Sequence, residues 1–173
     1  MTARLGALVT GAVQPGLYRW PSRAHPGALL RELARAGWGG YPLTGPVTEA
    51  RGFFDGCARA LAFPDWIGHS WAALADGLAD LSWLPARGHV LLWERYGALA
   101  ASDGTAWRRA YGTLQDALAA RVRYAAPPLY VLLRGTGPAT SPVDGAPIPV
   151  LPAVTGTAAP VTGSAASRRR RGR

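Results

Sequence analysis

Asp76 and Asp80 stand four positions apart in the run Phe63-Pro64-Asp65-Trp66-Ile67-Gly68-His69-Ser70-Trp71-Ala72-Ala73-Leu74-Ala75-Asp76-Gly77-Leu78-Ala79-Asp80-Leu81. On a helix that spacing makes them surface neighbours, and the like-charge pair costs about 0.2–0.5 kcal/mol of helix stability. Two carboxylates so placed suit one of two chemistries: an acid–base pair, or a pair of anionic groups that enter a basic cleft on a partner. The acid–base role needs a cleft that moves one pKa. With Trp71, Leu74 and Leu78 directed inward, Ala72, Asp76, Ala79 and Asp80 fall instead on the solvent side. Trp66 precedes this helix in a loop loosened by Gly68, where an indole offers a partner buried area.

Other chemistries lack their residues. The chain holds no Gly-rich phosphate loop and no G-x-S-x-G nucleophile turn. Its single cysteine, Cys57, falls on an apolar helical stripe, and His25, His69 and His89 are scattered without ligand spacing. No catalytic residue, no metal and no cofactor are expected, and His69 reads as a surface loop residue. One cysteine permits no internal disulfide, which fits a reducing cytoplasm, the expected location. The mildly apolar stretch from Leu5 to Val13 is too short, and lacks the cleavage site, for a signal peptide. No apolar run reaches membrane-spanning length.

The net charge of +9 is carried by 19 basic residues, all of them Arg. Residues 1–39 hold five Arg and one Glu, residues 40–135 nine Arg and eight acids, and residues 136–173 five Arg and one Asp, so the excesses are +4, +1 and +4. The centre is thus close to neutral. Arginine without lysine, in so much Ala and Gly, reads as GC-rich coding more than as selection for phosphate contacts. The run Arg168 to Arg173 lacks interleaved aromatics for base stacking. Weak, salt-dependent contact with nucleic acid or an acidic surface is the most it implies.

These residues need elements to position them. Leu17 to Trp20, Gly40 to Leu43, His89 to Trp93 and Leu129 to Leu133 read as strands, the last two as apolar runs buried on both faces. Helical spacing predicts helices over Pro26 to Ala36, from a Thr48 cap through Leu61, from a Ser70 cap over Trp71 to Leu81, and over Trp107 to Arg121. Strands alternating with helices imply an α/β fold with a mainly parallel sheet. Residues 1–15 read as a flexible N-terminus, residues 16–135 as one domain, and residues 136–173, rich in Pro, Ala, Thr, Ser and Gly, as a disordered tail.

The 63–81 segment resembles the binding loop and second helix of the barstar family, whose pattern runs Leu/Phe-Pro-acid-aromatic-aromatic-Gly-x-Asn-x-Asp-Ala-Leu-x-Asp. Phe63, Pro64, Asp65, Trp66, Gly68, Ala73, Leu74 and Asp76 match it. HVLLWERY from His89 to Tyr96 resembles the family's central strand and the turn after it. Trp107 to Leu118 and LYVLLRG from Leu129 to Gly135 resemble its last helix and strand. The resemblance covers about residues 40–135; the YRWP segment and the helix at 26–36 look like an N-terminal extension of actinobacterial type.

The resemblance implies a three-layer sandwich, a small parallel sheet flanked by helices with His89 to Trp93 central, and an intracellular inhibitor, monomeric when free, of a basic, secreted, barnase-type ribonuclease. It makes Trp66, Ile67, Ser70, Asp76, Asp80 and Asp116 the partner-binding residues. Asp76 is the acid that takes the place of an RNA phosphate, and Asp116 joins it when the last helix is aligned without a gap. Two departures stand out. Ser70-Trp71-Ala72 replaces Asn-x-Asp, and Ile67 replaces the second aromatic. A barstar-like scaffold for a different basic partner, without ribonuclease inhibition, is the alternative they leave open.

Overall fold

The computed structural model describes residues 3–152. The elements, in chain order, are α1 (Ala3–Val9), β1 (Leu17–Arg19), α2 (Pro26–Arg35), β2 (Gly39–Leu43), α3 (Ala50–Ala60), α4 (Trp71–Asp80), β3 (His89–Glu94), α5 (Gly97–Ser102), α6 (Gly104–Arg123) and β4 (Leu129–Arg134). The four strands form one wholly parallel sheet in the order β1-β4-β3-β2. Parallel strands of one sheet are joined by right-handed crossovers. The chain moves from β1 across to β2, then back through β3 to β4, so the two directions of travel place helices on opposite faces.

Alternation along the interior strands supplies both cores. Leu91 and Trp93 of β3, with Leu129, Val131 and Leu133 of β4, pack against α3, α4, α5 and α6. Val90, Leu92, Tyr130 and Leu132 face the other way, onto Leu5 and Leu8 of α1 and Leu29 and Leu33 of α2. Gly40 lets α2 come down on the sheet, because a Cβ there would run into Leu30 and Leu33. The fold is therefore the expected α/β sandwich.

Three expectations fail. Residues 3–9 are helical rather than flexible, because Leu5, Ala7 and Leu8 are buried, together with Val13. Part of the supposed tail is also placed. Arg19 N–H donates to Pro149 O (2.8 Å) and Leu151 N–H to Arg19 O (2.9 Å), extending the sheet edge beyond β1, while Ile148 and Leu151 are buried. The rest of that segment, residues 153–173 with the run Arg168 to Arg173, lies outside the described residues. Finally, Glu49 and not Thr48 occupies the N-cap of α3, without a side-chain cap bond. At the opposite sheet edge, Pro42 of β2 lacks an amide hydrogen to offer.

Candidate partner-binding face

The ten residues of α4 are too few to hold a helix unaided. Both ends are capped. The Ser70 hydroxyl accepts from the Ala73 N–H at 3.1 Å. At the other end Leu81 turns left-handed (φ 48°), its N–H donating to Gly77 O. Arg121 of α6, only 2% exposed, closes that end. Its Nη1 donates to the carbonyls of Leu78, Ala79 and Asp80 (2.9–3.2 Å), while Nε and Nη2 donate to Pro127 O. Desolvation pulls the guanidinium pKa down, and Asp80 and Tyr41 oppose the shift.

Below this clamp the Tyr41 hydroxyl meets His89 Nδ1 at 3.0 Å. Burial, with the charge of Arg121 beside it, lowers the His89 pKa to about 4, so the imidazole is neutral at pH 7. Burial also drives the Cys57 thiol well above its ordinary range, leaving it inert at neutral pH.

The loop before α4 is pinned from behind. Trp83 donates its indole N–H to Leu61 O at 2.9 Å, and Phe63 meets the Trp83 ring edge-on at 5.6 Å. Trp66 makes a similar edge contact, at 6.1 Å, yet is 73% exposed. Ile67 is half-buried and leans over Gly77, where a side chain would strike both Ile67 and Phe63. His69 is exposed, with Nδ1 3.2 Å from Asp55, which also lies 3.9 Å from Arg51.

The solvent side of α4 carries Ala72, Asp76 and Asp80, all exposed, and Asp65 is exposed in the loop. Asp80 accepts from the Ser82 hydroxyl at 3.1 Å. α6 runs alongside in the same direction: Arg109 lies over the Trp71 ring at the start of α4 (5.5 Å), and Arg121 meets its last carbonyls. Asp116, a heptad on from Arg109, shares that residue's face of α6 and is exposed between the two contacts, as Asp76 is along α4. Trp66, Asp76, Asp80 and Asp116 are each exposed, the first in the loop before α4, the next two on α4 and the last on the neighbouring α6. Ile67 is half-buried, and the Ser70 oxygen is engaged in the cap.

A family model described as Barstar (barnase inhibitor) matches residues 44–133. The chain belongs to the barstar family. No curated protein matches it. The barstar match begins where β2 ends and stops within β4. It takes in α3, α4, α5, α6 and β3, hence Trp66, Asp76, Asp80 and Asp116, and leaves α1, β1, α2 and β2 outside. Among the described residues no group of three or more His, Cys, Asp or Glu is placed to hold a metal ion, and no helix is long and apolar enough to cross a membrane.

Arg121 is the residue that sequence reasoning missed. It follows Leu114 and Leu118 on the buried stripe of α6, so a charge on an apolar stripe was the available signal.

Proposed function

We propose that this barstar-family chain is an intracellular inhibitor that occupies the active site of a basic, barnase-type ribonuclease with the outer face of α4. The observation that carries the reading is Trp66, a largely exposed indole in the loop before α4, together with the exposed carboxylates of Asp76 and Asp80 on that helix and of Asp116 on the neighbouring α6. Such a surface matches a positively charged cleft in sign, and the indole supplies the apolar anchor. Asp76, at the position of the family's phosphate-mimicking acid, enters the cleft deepest. Ser70 and Ile67 hold the helix start and the loop in place.

The test is calorimetric titration of the full chain with a barnase-type ribonuclease. The expected dissociation constant is below about 1 μM, roughly −8 kcal/mol. Asp76→Ala weakens it by about 2–5 kcal/mol, since the partner's buried cation loses its counter-charge. Unchanged affinity in that variant sinks the assignment.

One observation favours a second reading. Ala72 is exposed in the first turn of α4, where the family pattern has an acid. A scaffold for a different basic protein would then show no ribonuclease binding, with or without Asp76.

A further inference from the structure

Open α/β sheets bind ligands beyond the carboxyl ends of their strands, at the point where two neighbouring strands send the chain to opposite faces. Here that point lies between β1 and β4. After β1 the chain passes to the α2 layer, where Trp20 is buried. After β4 it turns to the other face, where the Pro138 carbonyl accepts from the Tyr96 hydroxyl (2.8 Å) and the Pro142 carbonyl from Arg108 of α6 (3.1 Å). A crevice of about 230 Å³ opens between them, lined by Arg19, Tyr96, Val150 and the run Gly135-Thr136-Gly137.

Its wall is tightly built. A Cβ on Gly97 would strike Thr136 O, and one on Gly137 would strike the Tyr96 ring. Its polar groups are donors, and no carboxylate lines it. Arg19 gives Nε to Ile148 O (3.4 Å) and hydrogen-bonds the Tyr96 oxygen, and it forms no ion pair among the described residues. Among those residues the amides of Gly135, Thr136 and Gly137 donate to no protein group. The two acids between the end of β3 and α6 are engaged elsewhere, Glu94 with Arg134 and Asp103 with the Ala106 N–H. Arg95 and Arg23, exposed in the turns after β3 and β1, add positive charge nearby. A volume near 230 Å³ is below that of pockets for drug-sized ligands and equals roughly eight waters. It admits one phosphate with a few carbons attached and leaves anything larger outside.

We propose that this crevice binds a small phosphate-bearing ligand, its oxygens held by the Arg19 guanidinium and by the amides of Gly135, Thr136 and Gly137. An arginine fork and unengaged backbone amides are the donors that phosphate oxygens take. The site is separate from the partner-binding reading. Arg19, Gly135, Thr136, Gly137 and Val150 lie outside the span 44–133 matched by the family model, and none of them is on α4 or the loop before it.

The experiment titrates the full chain with inorganic phosphate and, separately, with glycerol 3-phosphate, using sodium chloride at equal ionic strength as control. Amide nuclear magnetic resonance spectra are the readout. Saturable shifts are expected at Arg19, Trp20, Tyr96 and Gly135 to Gly137, with half-saturation in the millimolar range or below. A tighter response to the ester assigns the rest of the crevice to its carbon skeleton, and equal responses assign the site to the phosphate group alone. Arg19→Gln weakens binding about tenfold or more, whereas Arg23→Gln, at an exposed position in the turn, changes it less than about twofold. Arg19→Lys keeps the charge and loses the fork, so its affinity falls between those of Arg19→Gln and the unaltered chain. Shifts that never saturate, shifts matched by chloride, or equal losses in Arg19→Gln and Arg23→Gln overturn the proposal. No ribonuclease enters this measurement, so its outcome is independent of the inhibitor reading.

Discussion

The two helical layers that enclose the sheet are made of different materials. The layer of α3 to α6 packs aromatic rings: Phe53 lies 4.7 Å from Trp93, and Trp107 lies 5.7 Å from Trp93 and 5.5 Å from Tyr111. The layer of α1 and α2 is mainly aliphatic, with Leu5, Leu8, Leu29 and Leu33 on the opposite face of the same two strands. Each layer buries one arginine, by different means. Arg121 is held by backbone carbonyls alone. Arg134 lies 3.3 Å from Glu94, donates to Ser22 O and Ala24 O, and covers the Trp20 ring. The family match covers only the aromatic layer, yet the sheet is buried on both sides. The aliphatic layer is therefore the second half of the core, while the proposed binding surface sits wholly on the first.

Removal of residues 1–38 puts this dependence of one layer on the other to its most severe trial. Val90, Leu92, Tyr130 and Leu132 would lose their cover, and the expected outcome by circular dichroism is loss of the cooperative thermal transition. An undiminished melting temperature would make the layers independent.

Replacing each buried arginine separates the layers further. Arg134→Met strands the partly buried Glu94 carboxylate and should cost about 3 kcal/mol in urea denaturation, the low end for a broken buried pair because water reaches Glu94. Adding Glu94→Leu should restore much of it. Neither change should alter partner affinity.

His89 probes the aromatic layer by pH. Its folded pKa, about 4, lies below the unfolded value of 6.5, so the unfolded chain takes up the proton first as pH falls. Its contribution is full above pH 6.5 and is lost progressively down to pH 4, in total about 3 kcal/mol. His89→Gln should flatten the stability profile between pH 6.5 and 5, where carboxylates contribute least.

Arg121→Met is the smallest of these effects on stability, about 2–3 kcal/mol from carbonyls left unserved. It differs from Arg134→Met in that partner affinity should fall too, since the end of α4 is released.

The interior strands were legible because HVLLW and LYVLL are unbroken apolar runs, and α4 because its cap and stripe agree with each other. The short α5 was not, since GALAAS spans too few turns to show a period. The placed segments at both ends escaped notice because so few residues anchor them: Leu5, Leu8 and Val13 at one end, Ile148 and Leu151 at the other. In Pro- and Gly-rich sequence, composition outweighs two buried side chains. For the candidate site, spacing alone put Asp76 and Asp80 on one exposed face, whereas the position of Asp116 relative to them is set by how α6 packs beside α4. Such a tertiary fact has no periodic signature. Thr48 failed as a cap because helix starts are fixed by backbone geometry, and a hydroxyl one residue early cannot reach the amides.

The closed ends of α4 also bear on how fast and how tightly any partner is captured. A helix fixed at Ser70 and at Arg121 has little conformational freedom left to surrender on docking, so ordering is confined to the loop around Trp66. In hydrogen exchange the amides of Leu74 to Leu81 should open only with the whole domain, while those of Asp65 to His69 exchange early. A surface presented this way meets its target already in the shape it keeps, which favours rapid, diffusion-governed association steered by charge.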